Sequence, residues 1–258
     1  MRLPERFQNV AWTLASFALL VLVWDLAVRL LALPVYLVPS PAAVLRAGVT
    51  QWQPLLVNSG WTIGAILAGY ITAVVIAIPL GMLIVASPLL ERLLYPPMVA
   101  TQSIPKIALA PLFVVWFGFG VWPKVAVAFM IAVFPIVVDT IVGLRGIDPG
   151  MIALARSMGA PRHRVFLKLR LPFALPSIFG GLKVASTLAV VGALTGEFIG
   201  SDNGLGYVLV QASGQLDTPL LFATLVVLSI IAMIFFYAIE LIERRCIPWH
   251  VSQRSPTA

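Results

Sequence analysis

Six apolar runs, each longer than twenty residues, govern what this chain can fold into. They extend from about Val10 to Leu33, Trp61 to Ala86, Leu93 to Phe117, Trp122 to Leu144, Phe173 to Ile199 and Pro219 to Leu241. About 20 apolar residues are what a helix needs to cross the hydrocarbon core of a bilayer. Strands of a membrane barrel alternate and run about ten residues, whereas these runs are apolar all round. The expectation is an all-α integral membrane protein with six transmembrane helices, one domain over residues 1–258.

Composition closes the soluble alternative. Hydrophobic residues are 60% of the 258 and charged residues 10%, against roughly 45–50% and about 25% in soluble domains. A compact sphere of this size cannot hide so much apolar surface, so its solvent is lipid. Cys246 is the one cysteine, so no disulfide can form within the chain. Arg2 and Arg6 precede the first run as they would in a signal peptide. An apolar signal core is only about 7–15 residues, however, and the longer Val10–Leu33 run is expected to stay as an anchor.

The net charge of +7 does not point to nucleic acid, because no basic stripe carries interleaved aromatics. Basic residues of membrane proteins collect in cytoplasmic loops. With the N-terminus inside, twelve Lys and Arg fall inside, two (Arg46 and Lys124) fall outside, and Arg29, Lys106 and Lys183 lie in spans. That asymmetry predicts both termini in the cytoplasm. Asp202 and Asp217 then lie in an outer loop. Pro79, Pro105, Pro111 and Pro135 interrupt the runs, and each removes a helix hydrogen bond. Moving or substrate-lining helices use such breaks, although membrane helices are richer in proline in any case.

One loop stands apart. Gly143–Pro172 holds six of the twelve inside bases and is too polar to span. Asp148 can cap a helix that starts at Pro149, and Ile147, Met151, Leu154, Ala155 and Met158 form an apolar stripe at helical spacing. Gly159 supplies a left-handed stop, and Pro161 starts a second short helix that Leu171-Pro172 closes at the membrane. On that helix Val165, Phe166 and Leu169 share one face, and Arg164 and Lys168 lie on another. Such a pair can rest on lipid headgroups or dock into a partner's groove.

This stretch resembles the cytoplasmic signature of inner-membrane permeases of binding-protein-dependent ABC importers. That signature reads Glu-Ala-Ala, three residues, Gly, nine residues, Ile, one residue, Leu-Pro. Ala155, Gly159 and Leu171-Pro172 keep the spacing, Leu169 stands for Ile, and Ala153 and Leu154 replace the opening Glu-Ala. Around it VPSPAAVL, IPKIALAPLFVVWFGFG, GEFIGSDNGLGY and RRCIPWH are similar to the nitrate, sulfonate and taurine branch, which includes carriers of riboflavin and the thiamin pyrimidine. The resemblance implies a single permease domain, paired as a homodimer or close heterodimer, in a prokaryotic inner membrane. It implies two cytoplasmic ATPase subunits, each taking the 145–172 loop as a coupling helix, and an extracytoplasmic binding protein. Ala155, Arg156, Ser157, Gly159, Ala160, Leu169, Leu171 and Pro172 are then the coupling residues. The chain itself is expected to bind no cofactor and no metal and to catalyse nothing. It contains no Gly-Lys dipeptide, hence no phosphate loop of the G-x-x-x-x-G-K form, and the ATP belongs to the partner. No outer loop reaches domain size, so substrate capture is expected elsewhere.

Charge inside the spans asks for a reason. Asp25 and Arg29 are four apart and can pair. Lys106 follows Pro105 near mid-depth, a broken helix with a cation that suits a pathway for an anionic or polar substrate; the plainer reading pairs it with Asp139 or Glu197. Glu197, beside Gly196 and Gly200, can line an outer gate or cap a turn, and Lys183 is expected to reach headgroups. Lys106, Pro105, Asp139 and Glu197 are the candidate pathway residues. Gly181, Ala185, Ala189, Gly192 and Gly196 form a small-residue face, for packing within the subunit or a dimer seam. A stand-alone channel or secondary carrier is the competing function. An intramembrane enzyme is disfavoured: there is no H-E-x-x-H or G-x-S-x-G, and both histidines, His163 and His250, are expected in the cytoplasm.

Overall fold

A computed structural model describes residues 5–249. Arg2, His250 and Arg254, which entered the charge and histidine arguments, lie outside the described residues. The helices are α1 Glu5–Leu30, α2 Pro41–Thr50, α3 Trp52–Ala86, α4 Pro88–Gln102, α5 Ala110–Phe117, α6 Val121–Arg145, α7 Pro149–Ser157, α8 Arg162–Val165, α9 Leu171–Gly200, α10 Leu205–Gly214 and α11 Thr218–Cys246. A short 3₁₀ turn, Lys106–Leu109, precedes α5, and a π turn, Phe166–Arg170, joins α8 to α9.

Local chemistry sets several starts. The Ser40 hydroxyl accepts the Ala43 N–H at 3.3 Å before Pro41, and Asp217 accepts the Leu220 N–H at 3.1 Å before Thr218-Pro219. Both are side-chain caps followed by a proline in the first turn, where its missing N–H costs nothing.

The core is α3, α6 and α9, and small residues fix their register. A Cβ placed on Gly69 would lie 2.5 Å from the Ala128 Cβ, and one on Gly81 would lie 2.8 Å from the Thr140 Cβ. Numbers rise together along the two helices, so α3 and α6 run parallel. Against α9 the order reverses: Gly143 meets Ser177, Gly181 meets Asp139, Gly192 meets Ala128 and Gly196 meets Lys124. So α9 is antiparallel to α6. The Gly181-Ala185-Ala189-Gly192-Gly196 face is spent inside the subunit, with Ala185 and Ala189 fully buried; this replaces the dimer-seam reading. Helix α11 lies along α3, where Tyr70 packs edge-on to Phe235 at 4.9 Å and donates to the Leu182 carbonyl at 3.1 Å.

Parallel α3 and α6 require the chain between them to return to the starting side. The return is not the single straight span expected from Leu93 to Phe117. It is a pair bent by 91° at Ser103–Pro105, with α4 on one side and the 3₁₀ turn plus α5 on the other. Pro105 carries no N–H and pushes the residue before it away from helical geometry. Pro79 and Pro135, in contrast, sit inside unbroken helices, where packing neighbours hold the axis. Helix α3 also begins at Trp52 rather than Trp61. Its 35 residues extend about 50 Å, beyond an apolar core of about 30 Å.

Among the described residues four helices are long and apolar enough to cross a membrane, and the bent pair is a fifth if counted as one span. Large apolar side chains such as Leu22, Ile71, Val75, Ile234 and Tyr237 cover the outer faces. No buried side-chain polar atom among the described residues lacks a partner.

Candidate coupling loop and transport pathway

The end of the bundle where α6 begins and α9 finishes holds a buried polar clamp. Glu197, 1% exposed, accepts from the Thr62 hydroxyl at 2.8 Å and from the Gly206 N–H at 2.7 Å. Lys124, also 1% exposed, lies 3.9 Å from the Glu197 carboxylate and donates to the Asn203 carbonyl at 2.8 Å and to its side-chain oxygen at 2.7 Å. Thr62 in turn accepts the Leu205 N–H, and Asn58 accepts the Gly204 N–H. The GSDNGLG turn is thereby tied to α3, α6 and α9 together. A Cβ on Gly204 (φ +105°) would fall 2.2 Å from Glu197, so only glycine fits. Of the two readings of Glu197, turn-fastening matches this geometry. Lys124, expected as an outer-loop cation, is buried in the protein rather than free in a loop. The sequence signal for the clamp was a lone Lys and a lone Glu, each about one turn inside an apolar run.

Midway along the bundle, the break between α4 and α5 presents Lys106. Its ammonium donates to the Gln102 side-chain oxygen and stands 6.0 Å from the Phe134 ring, near the middle of α6. Neither Asp139 nor Glu197 pairs with it. Glu197 belongs to the clamp, and the Asp139 carboxylate, half-buried beside Gly181, has no ion-pair or hydrogen-bond partner among the described residues. Pro105 is exposed at the break. Lys183 does not reach headgroups: it pairs with the buried Glu243 of α11 at 2.7 Å. Asp25 and Arg29 do pair, at 2.8 Å.

At the other end lies the basic loop. Asp148 accepts the Gly150 N–H at 2.8 Å and caps α7, with Pro149 in its first turn. The helix ends as its sequence directs. Gly159 has φ +80°, its N–H reaches the Arg156 carbonyl at 2.9 Å, and the Ala160 N–H reaches the Ala155 carbonyl at 3.1 Å. This is the paired-bond stop that a left-handed glycine makes.

The stripe does not all point one way. Ile147 is buried, Ile152 and Ala155 are half-buried, and Met151, Leu154 and Met158 stand 50%, 63% and 79% exposed. Beyond the turn, Val165 faces inward, Phe166 and Leu169 are half-buried, and Arg164 and Lys168 are exposed, the two faces expected. The second helix is not a closed unit, however. It runs on into α9, helical from Arg162 to Gly200, with the π turn between. Pro172 supplies no N–H, and the Leu171 N–H bonds the Phe166 carbonyl five residues back. Leu169, Leu171 and Pro172 are half-buried at this junction, while Arg156, Ser157 and Gly159 are exposed on or beside α7 and Ala160 is half-buried.

A helical bundle with four apolar spans, a sharply bent helix pair that presents a cation without an ion-pair partner among the described residues, and a capped helix with an exposed apolar face has the make-up of a multi-pass membrane transport subunit. Residues 65–248 match the family described as binding-protein-dependent transport system inner membrane component, and the chain belongs to that family. It is 37% identical to the formylaminopyrimidine transport permease protein ThiX of Halalkalibacterium halodurans, covering 92% of this chain and 95% of the relative. It is 37% identical to the riboflavin transport system permease protein RibX of Chloroflexus aurantiacus, covering 98% and 95%. The taurine transport system permease protein TauC of Escherichia coli is 28% identical, covering 94% and 91%. In solved structures the fold resembles a chain of the inward-facing MetNI methionine ABC transporter, with TM-score 0.64 and 25% identity over 74% of this chain and 95% of that one. The protein is thus a permease subunit of an ABC importer, and these relatives favour that over a stand-alone channel or secondary carrier.

Proposed function

We propose that the chain crosses the membrane six times with both termini in the cytoplasm, and pairs with itself or a close relative to enclose a translocation pathway. In this reading α1 and the bent α4–α5 segment complete the count, and α7 is the coupling helix. Two cytoplasmic ATPase subunits supply the energy, each receiving one α7 in a groove, and an extracytoplasmic binding protein delivers substrate. The observation that carries the reading is the face of Met151, Leu154 and Met158, exposed in the chain and held off the bundle by the Gly159 turn. An exposed apolar stripe on a capped helix is the form of a helix-in-groove ligand.

Lys106, Pro105 and Asp139 are the proposed pathway group, and Glu197 with Lys124 is the structural clamp above it. A cation without a carboxylate partner at mid-depth favours a small anionic or polar organic substrate. The relatives' substrates bracket the class: formylaminopyrimidine, riboflavin, taurine and aliphatic sulfonates. The test is reconstitution in proteoliposomes with the ATPase and binding protein, following substrate-stimulated ATP hydrolysis and uptake. A thermal-shift screen of the binding protein with those compounds selects the substrate. ATP hydrolysis indifferent to the permease would overturn the assignment.

A further inference from the structure

The side of α7 turned toward the bundle has its own chemistry. Two cavities of 430 and 560 Å³ lie there and share Val85, Arg156 and Arg170 in their walls. Arg145 lines the first, and Arg162 and His163 line the second. No acidic residue lines either cavity. Arg145 is already paired with Glu91, at 2.5 Å. Arg156, Arg162 and Arg170 have no ion-pair partner among the described residues. The remaining wall is apolar: Met82 and Val85 come from the last turns of α3 and Phe166 from the π turn.

A cationic rim over an apolar wall at the membrane surface fits an amphiphile with an anionic head. Basic pockets between helices on the cytoplasmic side take acidic lipid headgroups, and a free phosphate would have no use for the apolar wall. We propose that the joined cavities hold an anionic phospholipid of the inner leaflet, its phosphate on Arg156 and Arg170 and its chains leaving along Met82 and Val85. The lipid would brace α7 from the membrane side while the opposite face stays free. The proposal rests on the loop being cytoplasmic and not on what docks against that outer face, so it can fail or hold independently of the ATPase assignment.

The test places the full-length chain in phosphatidylcholine nanodiscs, titrates in phosphatidylglycerol and counts retained lipid by native mass spectrometry. Phosphatidylglycerol should be retained selectively. Each cation near an anionic surface contributes about a fivefold factor, so Arg156→Gln with Arg170→Gln should weaken retention about 25-fold. Arg156→Lys with Arg170→Lys keeps the charge and should retain most binding, which separates the site from misfolding. Arg164→Gln with Lys168→Gln removes equal charge from outside the cavities and should change little. Equal loss in both glutamine pairs would mean a diffuse surface effect and overturn the proposal. Displacement of the lipid by millimolar inorganic phosphate would overturn it too, assigning the cavities to a soluble anion.

Discussion

Lys124 and Glu197 show how a residue's neighbours change its reading. Each is buried at 1% exposure, and each is bound by backbone as well as side chain. Removing one member of a buried pair costs about 3–5 kcal/mol, because the other is left uncompensated. Glu197→Ala is therefore expected to lower the unfolding temperature in detergent markedly, with Lys124→Ala close behind. A neutral result in both would mean that water reaches the clamp and replaces the lost partner. Lys106 is expected to behave in the opposite way. It is half-buried and, among the described residues, held by Gln102 and set near the Phe134 ring without a carboxylate partner, so Lys106→Met should leave expression and stability intact and cut substrate uptake severely. Normal uptake by a well-expressed Lys106→Met would remove it from the pathway.

At the scale of elements, glycine spacing does what hydropathy cannot. A Cβ on Gly192 would come within 2.6 Å of the Ala128 Cα, a backbone atom that cannot step aside, whereas one on Gly180 of the same helix meets nothing within 4 Å. Gly192→Ala should separate α9 from α6 and reduce the folded yield, and Gly180→Ala should be tolerated or slightly stabilising, since alanine is the better helix former by about 1 kcal/mol. Fluorescence-detected size exclusion of the two variants checks this; equal profiles would mean the α6–α9 contact is looser than described. The stripe spacing announced close packing but not its partner, which is why a dimer seam remained open from sequence. The bent crossing was half legible. Pro105 was visible, yet a hydropathy window averages across the break and reads one straight span.

For the whole molecule, direction and coupling are the testable properties. Helices α3, α6 and α11 run one way and α9 the other, and the asymmetry of bases is the ground on which the basic end is proposed to face the cytoplasm. Alkaline phosphatase fused after Asn203 should be active and after His163 inactive; the reverse would invert the topology. Gly159→Asp separates strain within the chain from failure between chains. The φ of +80° makes any side chain costly, but a Cβ there meets nothing within 4 Å, so the internal penalty is about 1 kcal/mol. Insertion should survive, while co-purification with the ATPase and stimulated hydrolysis should fall well below those of Arg164→Ala, an exposed charge worth at most about 1 kcal/mol. Wild-type coupling in Gly159→Asp would mean that α7 only rests on the membrane surface.

What sequence alone determined is what depends on local order and on solvent. Apolar length demands lipid, base asymmetry predicts an orientation that the fusion experiment tests, and Asp148-Pro149 and Gly159 start and stop α7 through bonds to residues within five positions. The tertiary structure decided everything that needs two distant segments to meet. It paired Lys183 with Glu243 and Glu197 with Lys124 and Thr62, and it left the Asp139 carboxylate without an ion-pair partner among the described residues. It also carried α8 through the π turn into α9 and divided the α7 stripe into an inward and an outward face. A charged side chain in an apolar run shows only that burial must be compensated. Which group compensates it is set by helix register, and register is fixed where glycines let backbones touch.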